Sequence, residues 1–244
     1  MEKFGWAYIG CGGIAHITAH ELVKTEGQYI VSTWNRTHEK AADFVSKFGG
    51  TAYQTAEEAI NAPGVDAVYI AVTADQHRKY MEMCIRNHKP VLCEKPFTVN
   101  AEQACEVFDL ATAEGVYVSE AMWTWHNATA KQVRAWVKEG MIGSIRHVQC
   151  FYSFPMIKLP IQKPRHTAPE MIGGALLDIG VYALSIVRSF MEAQPENVVS
   201  QMRPAPTGVD EQATILLQNE RGQMATVALS MHSKQPKRAV ISCE

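Results

Sequence analysis

The 244-residue chain has no apolar run approaching the roughly 20 residues that a helix needs to cross a bilayer. Its start, Met1-Glu2-Lys3-Phe4, lacks a signal-peptide pattern. Charge of one sign is lacking as well. The 23 Lys+Arg against 25 Asp+Glu leave a net charge of −2, which offers no footprint for nucleic acid or an anionic membrane. The six cysteines (Cys11, Cys84, Cys93, Cys105, Cys150, Cys243) make no CxxC pair and no framework spacing. They read as reduced thiols in a cytoplasmic protein, which leaves no role for a disulfide scaffold or a zinc ribbon. Internal repeats and low-complexity tracts are missing. What remains is ordinary globular composition, 47% apolar and 20% charged. At roughly 150 residues per domain, the length allows about 1.6 domains.

The first half alternates strand and helix. Strand-like Phe4–Ile9, Tyr29–Trp34, Ala67–Val72, Val91–Cys93 and Val116–Ser119 are separated by helical patterns at about Ile14–Lys24, His38–Phe48, Gln76–Asn87 and after Asn100. Thr55-Ala56-Glu57-Glu58 has capping-box spacing, so a short helix should begin at Ala56. Such alternation demands an α/β fold with a doubly wound, mostly parallel sheet over residues 1–120. Residues 121–244 read differently. A helix at about Ala128–Lys138, a strand at Ile145–Phe154 and a strong helix at Ala175–Met191 precede three closely spaced strands, Asn197–Met202, Ala213–Leu217 and Met224–Leu229. Their spacing predicts an α+β domain with an open, mainly antiparallel sheet. Pro155–Pro169 reads as a surface loop or lid.

Gly10-Cys11-Gly12-Gly13-Ile14-Ala15 contains the G-x-G-x-x-G/A dinucleotide (Rossmann) fingerprint, directly after a strand and before a helix. The glycines allow a tight turn and close backbone approach to a pyrophosphate, and the helix N-terminus offers N–H groups to it. An NAD site usually carries an acid at the end of the second strand. Here that position holds Asn35, followed by Arg36. Neutral Asn35 removes a charge that would repel a 2′-phosphate, and Arg36 could clamp it, so NADP is expected over NAD. The alternative is a plain surface arginine, with both cofactors binding. His16 and His20 stand four apart on the following helix without an acidic third ligand, and no metal is expected.

Glu94-Lys95-Pro96 puts two charges at the C-terminal end of a buried strand, where a nicotinamide should lie. With the fingerprint and Gly173-Gly174-Ala175-Leu176-Leu177-Asp178-Ile179-Gly180-Val181-Tyr182, this triplet resembles the Gfo/Idh/MocA family of NAD(P)-dependent oxidoreductases along the whole chain. Tyr182, where many members carry His, together with Glu120-Ala121-Met122-Trp123 is similar to the dihydrodiol, D-xylose and glucose–fructose branch. Two departures stand out: Thr124-Trp125-His126 where the branch has Arg after Met-Trp, and Thr73-Ala74 for the usual Thr-Pro. The resemblance implies a Rossmann domain, an active-site domain whose sheet often mediates homo-oligomers, and a small carbohydrate or diol substrate. It also implies that further sheet follows the end at Ser242-Cys243-Glu244, so the chain is expected to be a C-terminally truncated fragment.

The residues suggest matching chemistry. Asp178 and Tyr182, four apart, share one helix face. Hydride transfer at a carbinol carbon needs proton transfer at its oxygen. A free tyrosine has a pKa of about 10, so accepting that proton at neutral pH costs on the order of 4 kcal/mol, which a nearby Lys⁺ reduces. Tyr182 is therefore the expected acid/base, Lys95 its electrostatic partner or alternative donor, and Asp178 the acceptor that orients a substrate hydroxyl. Glu94, Lys95, Thr73 and His77 are expected at the cofactor, with His77 lining the crevice or making a local helix-start bond. Arg165 and Trp123 could contact substrate, or else be solvated and packed, respectively. The family also contains non-catalytic dinucleotide-binding regulators and NAD-dependent glycosidases, and these stand as alternatives.

Overall fold

The first strand, β1 (Phe4–Ile9), runs into Gly10, whose φ of 102° turns the chain toward α1 (Gly13–Leu22). A Cβ at Gly10 would lie 2.7 Å from the Ala71 backbone, so this turn needs glycine for space as well as for dihedral angle. The computed structural model describes residues 3–156 and 164–244, and the chain forms two units, Met1–Ala121 and Met122–Glu244.

In the first unit the chain continues as β2 (Gln28–Trp34), α2 (His38–Phe48), β3 (Thr51–Ala52), α3 (Ala56–Ile60), β4 (Ala67–Ile70), α4 (His77–Arg86), β5 (Val91–Cys93), α5 (Ala101–Ala113) and β6 (Val118–Glu120). The strands pair in parallel in the order β3-β2-β1-β4-β5-β6. That order reverses between β1 and β4, which opens a crevice at their C-terminal ends. Alternation along β1 fills both faces: Ala7 and Ile9 join Val68, Ile70 and Met81, while Tyr8 joins Ala15, Phe44 and Tyr69. All four residues of β4 are buried, which accounts for its unbroken apolar run. The predicted capping box is present, with Thr55 and Glu58 bonding reciprocally at the start of α3. The two-residue β3 has no sequence counterpart, and β6 lies further along than the predicted strand.

The second unit comprises α6 (Ala128–Lys138), β7 (Ile145–Ser153), α7 (Val181–Phe190), β8 (Pro195–Pro204), β9 (Asp210–Asn219), β10 (Met224–Ser230) and β11 (Arg238–Cys243). Its sheet has the order β11-β7-β10-β9-β8. Every pairing is antiparallel except β7 with β10, which run parallel from His147↔Met224 to Ser153↔Ser230. Alternate residues Val148, Cys150, Ile215, Leu217, Val227 and Leu229 pack on one face with Ala183 and Val187 of α7.

Two expectations need correction here. The helix predicted from Ala175 begins instead as a five-residue π turn, Leu176–Gly180, before α7. Gly180 sits where a Cβ would come within 2.7 Å of Leu229 Cδ1, so the turn lies flush against β10. Pro169–Phe190 is also long and apolar enough for a membrane span, at mean hydropathy 1.6, although no such run was expected. A third of that apolar window is buried, with Ile179, Ala183, Val187 and Phe190 in the second core. Within the predicted lid, residues 157–163 lie outside the described part. The flanking segments form short 3-10 turns at Pro164–His166 and Pro169–Met171.

Candidate active site

In the first unit the predicted cofactor residues gather at the C-terminal edge of the parallel sheet. Gly12 caps α1 with no side-chain bond, the first turn of α1 holds no acid, and a Cβ at Gly13 would meet nothing within 4 Å. Open space above uncapped N–H groups is what a pyrophosphate needs. Asn35 Oδ1 accepts the backbone N–H of Cys11 at 3.1 Å, while its amide nitrogen donates to Thr37 O at 3.0 Å. Asn35 thus ties the glycine loop to the turn after β2, and Arg36 is exposed on that turn. Burial raises the Cys11 thiol pKa, against a hydrogen bond with Thr33 that lowers it. The loop therefore carries no added charge there.

Thr73 precedes a single 3-10 turn, Ala74–Gln76, and its side chain bonds Asp75. His77, only 1% exposed, lies between two carbonyls, with Nδ1 2.8 Å from Pro96 O and Nε2 3.2 Å from Val72 O. Burial holds its pKa below the usual histidine range. Neutral imidazole donates through one nitrogen, and the shorter distance assigns that proton to Nδ1. Tyr69 donates to Glu94 Oε1 at 2.6 Å, and the Lys95 N–H donates to Glu94 Oε2 at 3.2 Å. Burial first, then the Glu94 charge, raises the Tyr69 pKa far above normal, so its hydroxyl stays a donor. Glu120 Oε1 accepts the Phe97 N–H at 2.9 Å. Burial, and secondarily Glu94, raises the Glu120 pKa. The turn bearing Lys95 is therefore gripped at Glu94, Pro96 and Phe97 by three side chains.

In the second unit Tyr182 opens α7 within an aromatic cluster. Its ring centroid lies 5.6 Å from Tyr152 on β7 and 6.3 Å from Trp123, which is 60% exposed. Lys237 Nζ stands 4.3 Å over Phe154 and 5.6 Å over Tyr152. Trp125 instead packs, donating to Ser185 Oγ at 2.5 Å beneath Arg134. Asp178 occupies the π turn, four residues before Tyr182. Arg165 lies exposed in the 3-10 turn Pro164–His166, and its carbonyl comes within 2.8 Å of where a Gly173 Cβ would stand.

Two family models match: an oxidoreductase family with an NAD-binding Rossmann fold over residues 4–122, and the Gfo/Idh/MocA C-terminal domain over 130–244. Trans-1,2-dihydrobenzene-1,2-diol dehydrogenase of Mus musculus is 31% identical over 97% of this chain and 71% of its own. The chain belongs to the Gfo/Idh/MocA oxidoreductase family. With the oxidoreductase family match and relatives of that name, it is a dehydrogenase/reductase. The Xenopus tropicalis enzyme of the same name is 29% identical, over 97% of this chain and 72% of its own. Among solved structures, a 3-ketoreductase from Actinomadura kijaniata in complex with NADP and TDP-benzene is 27% identical, with a TM-score of 0.88. That match covers 99% of this chain and 74% of the ketoreductase.

For a Gfo/Idh/MocA oxidoreductase, the residues that sequence reasoning missed are mostly supports. Tyr69 and Tyr152 lie within predicted strands and were not singled out, and period-2 alternation through Val148, Cys150 and Tyr152 was the available signal for the latter. Asp210, whose carboxylate reaches the start of the π turn, carried no local motif at all.

Proposed function

We propose that this oxidoreductase transfers hydride between NADP(H) and a carbinol or carbonyl carbon of a sugar, polyol or cyclic diol. The observation that carries the reading is the braced turn of Glu94-Lys95-Pro96. His77 and Glu120 hold the backbone just after Lys95, and Tyr69 holds the Glu94 carboxylate just before it, at the sheet edge where parallel folds bind ligands. A cationic residue carried on so braced a turn suits electrostatic work at a reacting oxygen.

The residues from Gly10 to Ala15, with Thr73, would hold the dinucleotide, and Arg36 would take its 2′-phosphate. Asn35 supports the NADP preference, because its amide places no negative charge beside the ribose. Bound there, the nicotinamide supplies the hydride donor or acceptor. Tyr182 moves the proton at the substrate oxygen, Lys95 favours phenolate and polarises that oxygen, and Asp178 accepts from a substrate hydroxyl. Trp123, exposed beside Tyr182, suits stacking on a ring-shaped substrate. The dihydrodiol dehydrogenases and the ketoreductase support a small ring-bearing substrate. Assembly into homo-oligomers through the second-unit sheet fits exposed Val199 and Leu216, which are paired in register on one face.

The test is nicotinamide absorbance with NADP⁺ or NAD⁺ and a panel of pentoses, hexoses and trans-dihydrodiols. Net reduction of free NADP⁺ by a panel member is expected. Tight dinucleotide binding with no net turnover would favour a regulator or an NAD-dependent glycosidase and sink the reading.

A further inference from the structure

Asp210, the first residue of β9, sends its carboxylate to the beginning of the π turn. Oδ2 accepts the Leu176 N–H at 2.7 Å, and the Ala175 N–H also bonds the carboxylate. These are the leading N–H groups that a helix start leaves without intrahelical partners. The turn's own N-cap position holds Ala175 and makes no side-chain cap bond. Gly174 makes room: its φ is 117°, and a Cβ there would overlap the Asp210 carboxylate. Asp210 itself is anchored by pairing with Pro204 of β8. A strand distant in sequence therefore supplies the cap that the helix lacks.

We infer that Asp210 is a positioning residue that fixes the register of the π turn, and so the setting of Asp178 relative to Tyr182. This rests on the roles proposed above for those two residues. A π turn holds one residue more than an α turn, and such turns recur at functional sites. Without a fixed start, the extra residue can be expelled toward the N-terminus. Each residue slipped rotates the preceding side chains by roughly 100° about the helix axis. Asp178 would then stand at a different angle from Tyr182 than the π turn sets, while α7 itself, held in the core by Ala183 and Val187, would stay in place. A negative carboxylate at this end also opposes the positive pole of the helix, which strengthens the cap.

The test compares Asp210→Ala, Asp210→Asn and Tyr182→Phe in the full chain. Amide hydrogen exchange at Ala175 and Leu176 reads the cap, and Met224–Leu229 of β10 serves as the folding control. Turnover of trans-1,2-dihydrobenzene-1,2-diol and of D-xylose with NADP⁺ reads the consequence. Asp210→Ala is expected to speed exchange at the two amides at least tenfold and lower kcat at least tenfold, with KM for NADP⁺ within twofold and β10 exchange unchanged. Asp210→Asn keeps an acceptor oxygen and should restore most of both. Unchanged exchange in Asp210→Ala overturns the inference. So does unchanged kcat in Asp210→Ala alongside an inactive Tyr182→Phe. Full turnover in Tyr182→Phe instead overturns the acid/base role proposed for Tyr182, on which the inference rests, and leaves the hydride-transfer function standing.

Discussion

Asn35 and Cys11 are joined by a hydrogen bond from the Cys11 N–H to Asn35 Oδ1, 3.1 Å long. The side-chain oxygen that an acid would offer to a ribose hydroxyl is here spent on the glycine loop. Asp at this position could keep the loop contact but would add a charge that repels a 2′-phosphate. Asn35→Asp should weaken NADP⁺ at least tenfold and leave NAD⁺ within about threefold, as a charge contact of about 1.4 kcal/mol per tenfold implies. Titration of both cofactors by protein fluorescence checks this, and an unchanged ratio would remove Asn35 from cofactor selection.

Tyr182→Phe keeps the aromatic packing against Tyr152 and Trp123 but removes the hydroxyl. We expect kcat to fall by roughly 10²–10⁴, the usual worth of acid/base catalysis. Lys95→Ala should fall comparably. Cofactor affinity should change by less than about threefold in the tyrosine variant. Near-wild-type turnover in both would end the assignment.

His77 gives a pH prediction. Burial depresses its folded pKa below the ordinary 6.5. The unfolded chain therefore binds the extra proton first as pH falls. Stability from this residue is complete above about pH 6.5 and is lost as pH drops toward the folded pKa, with a limiting slope of about 1.4 kcal/mol per pH unit. Denaturant titrations from pH 8 to 5 should show a shallower loss in His77→Gln than in wild type. Parallel curves would contradict the buried, neutral imidazole between Val72 and Pro96.

The start of α3 provides a stability check far from the chemistry. Thr55→Ala deletes the acceptor for the Glu58 N–H at 3.2 Å and should cost about 1 kcal/mol. The shift belongs in the denaturant midpoint, with the slope unchanged.

Much of the fold was legible because it is local. Gly10-x-Gly12-x-x-Ala15 needs no knowledge of distant contacts, and Thr55 with Glu58 forms its box within one turn. Strand alternation in Tyr8 and Ile9 reports two buried faces directly. What escaped depends on register. Asp210 reaches Leu176 across 34 residues, and only the pairing of β9 with its neighbours decides which side chain arrives there. Tyr152 meets Tyr182 for the same reason. The π turn was hidden because Leu176-Leu177-Asp178-Ile179-Gly180 suits an ordinary helix in composition, and the turn's neighbours Leu229 and Asp210 come from strands distant in sequence. Close strand spacing likewise concealed the one parallel pair. Its partner strand, β7, lies well before the hairpin-like run of β8, β9 and β10.

That parallel pair bears on how the second unit comes into being. β7 has β10 on one side and β11 on the other, and both are synthesised at least 70 residues after it. Until then its backbone donors and acceptors, and the face carrying Val148 and Cys150, have no sheet to join. The first unit can close on the ribosome strand by strand, whereas the second must wait and then assemble nearly all at once. The interval between emergence of Ile145 and emergence of Ser230 is the one in which β7 has no strand to pair with.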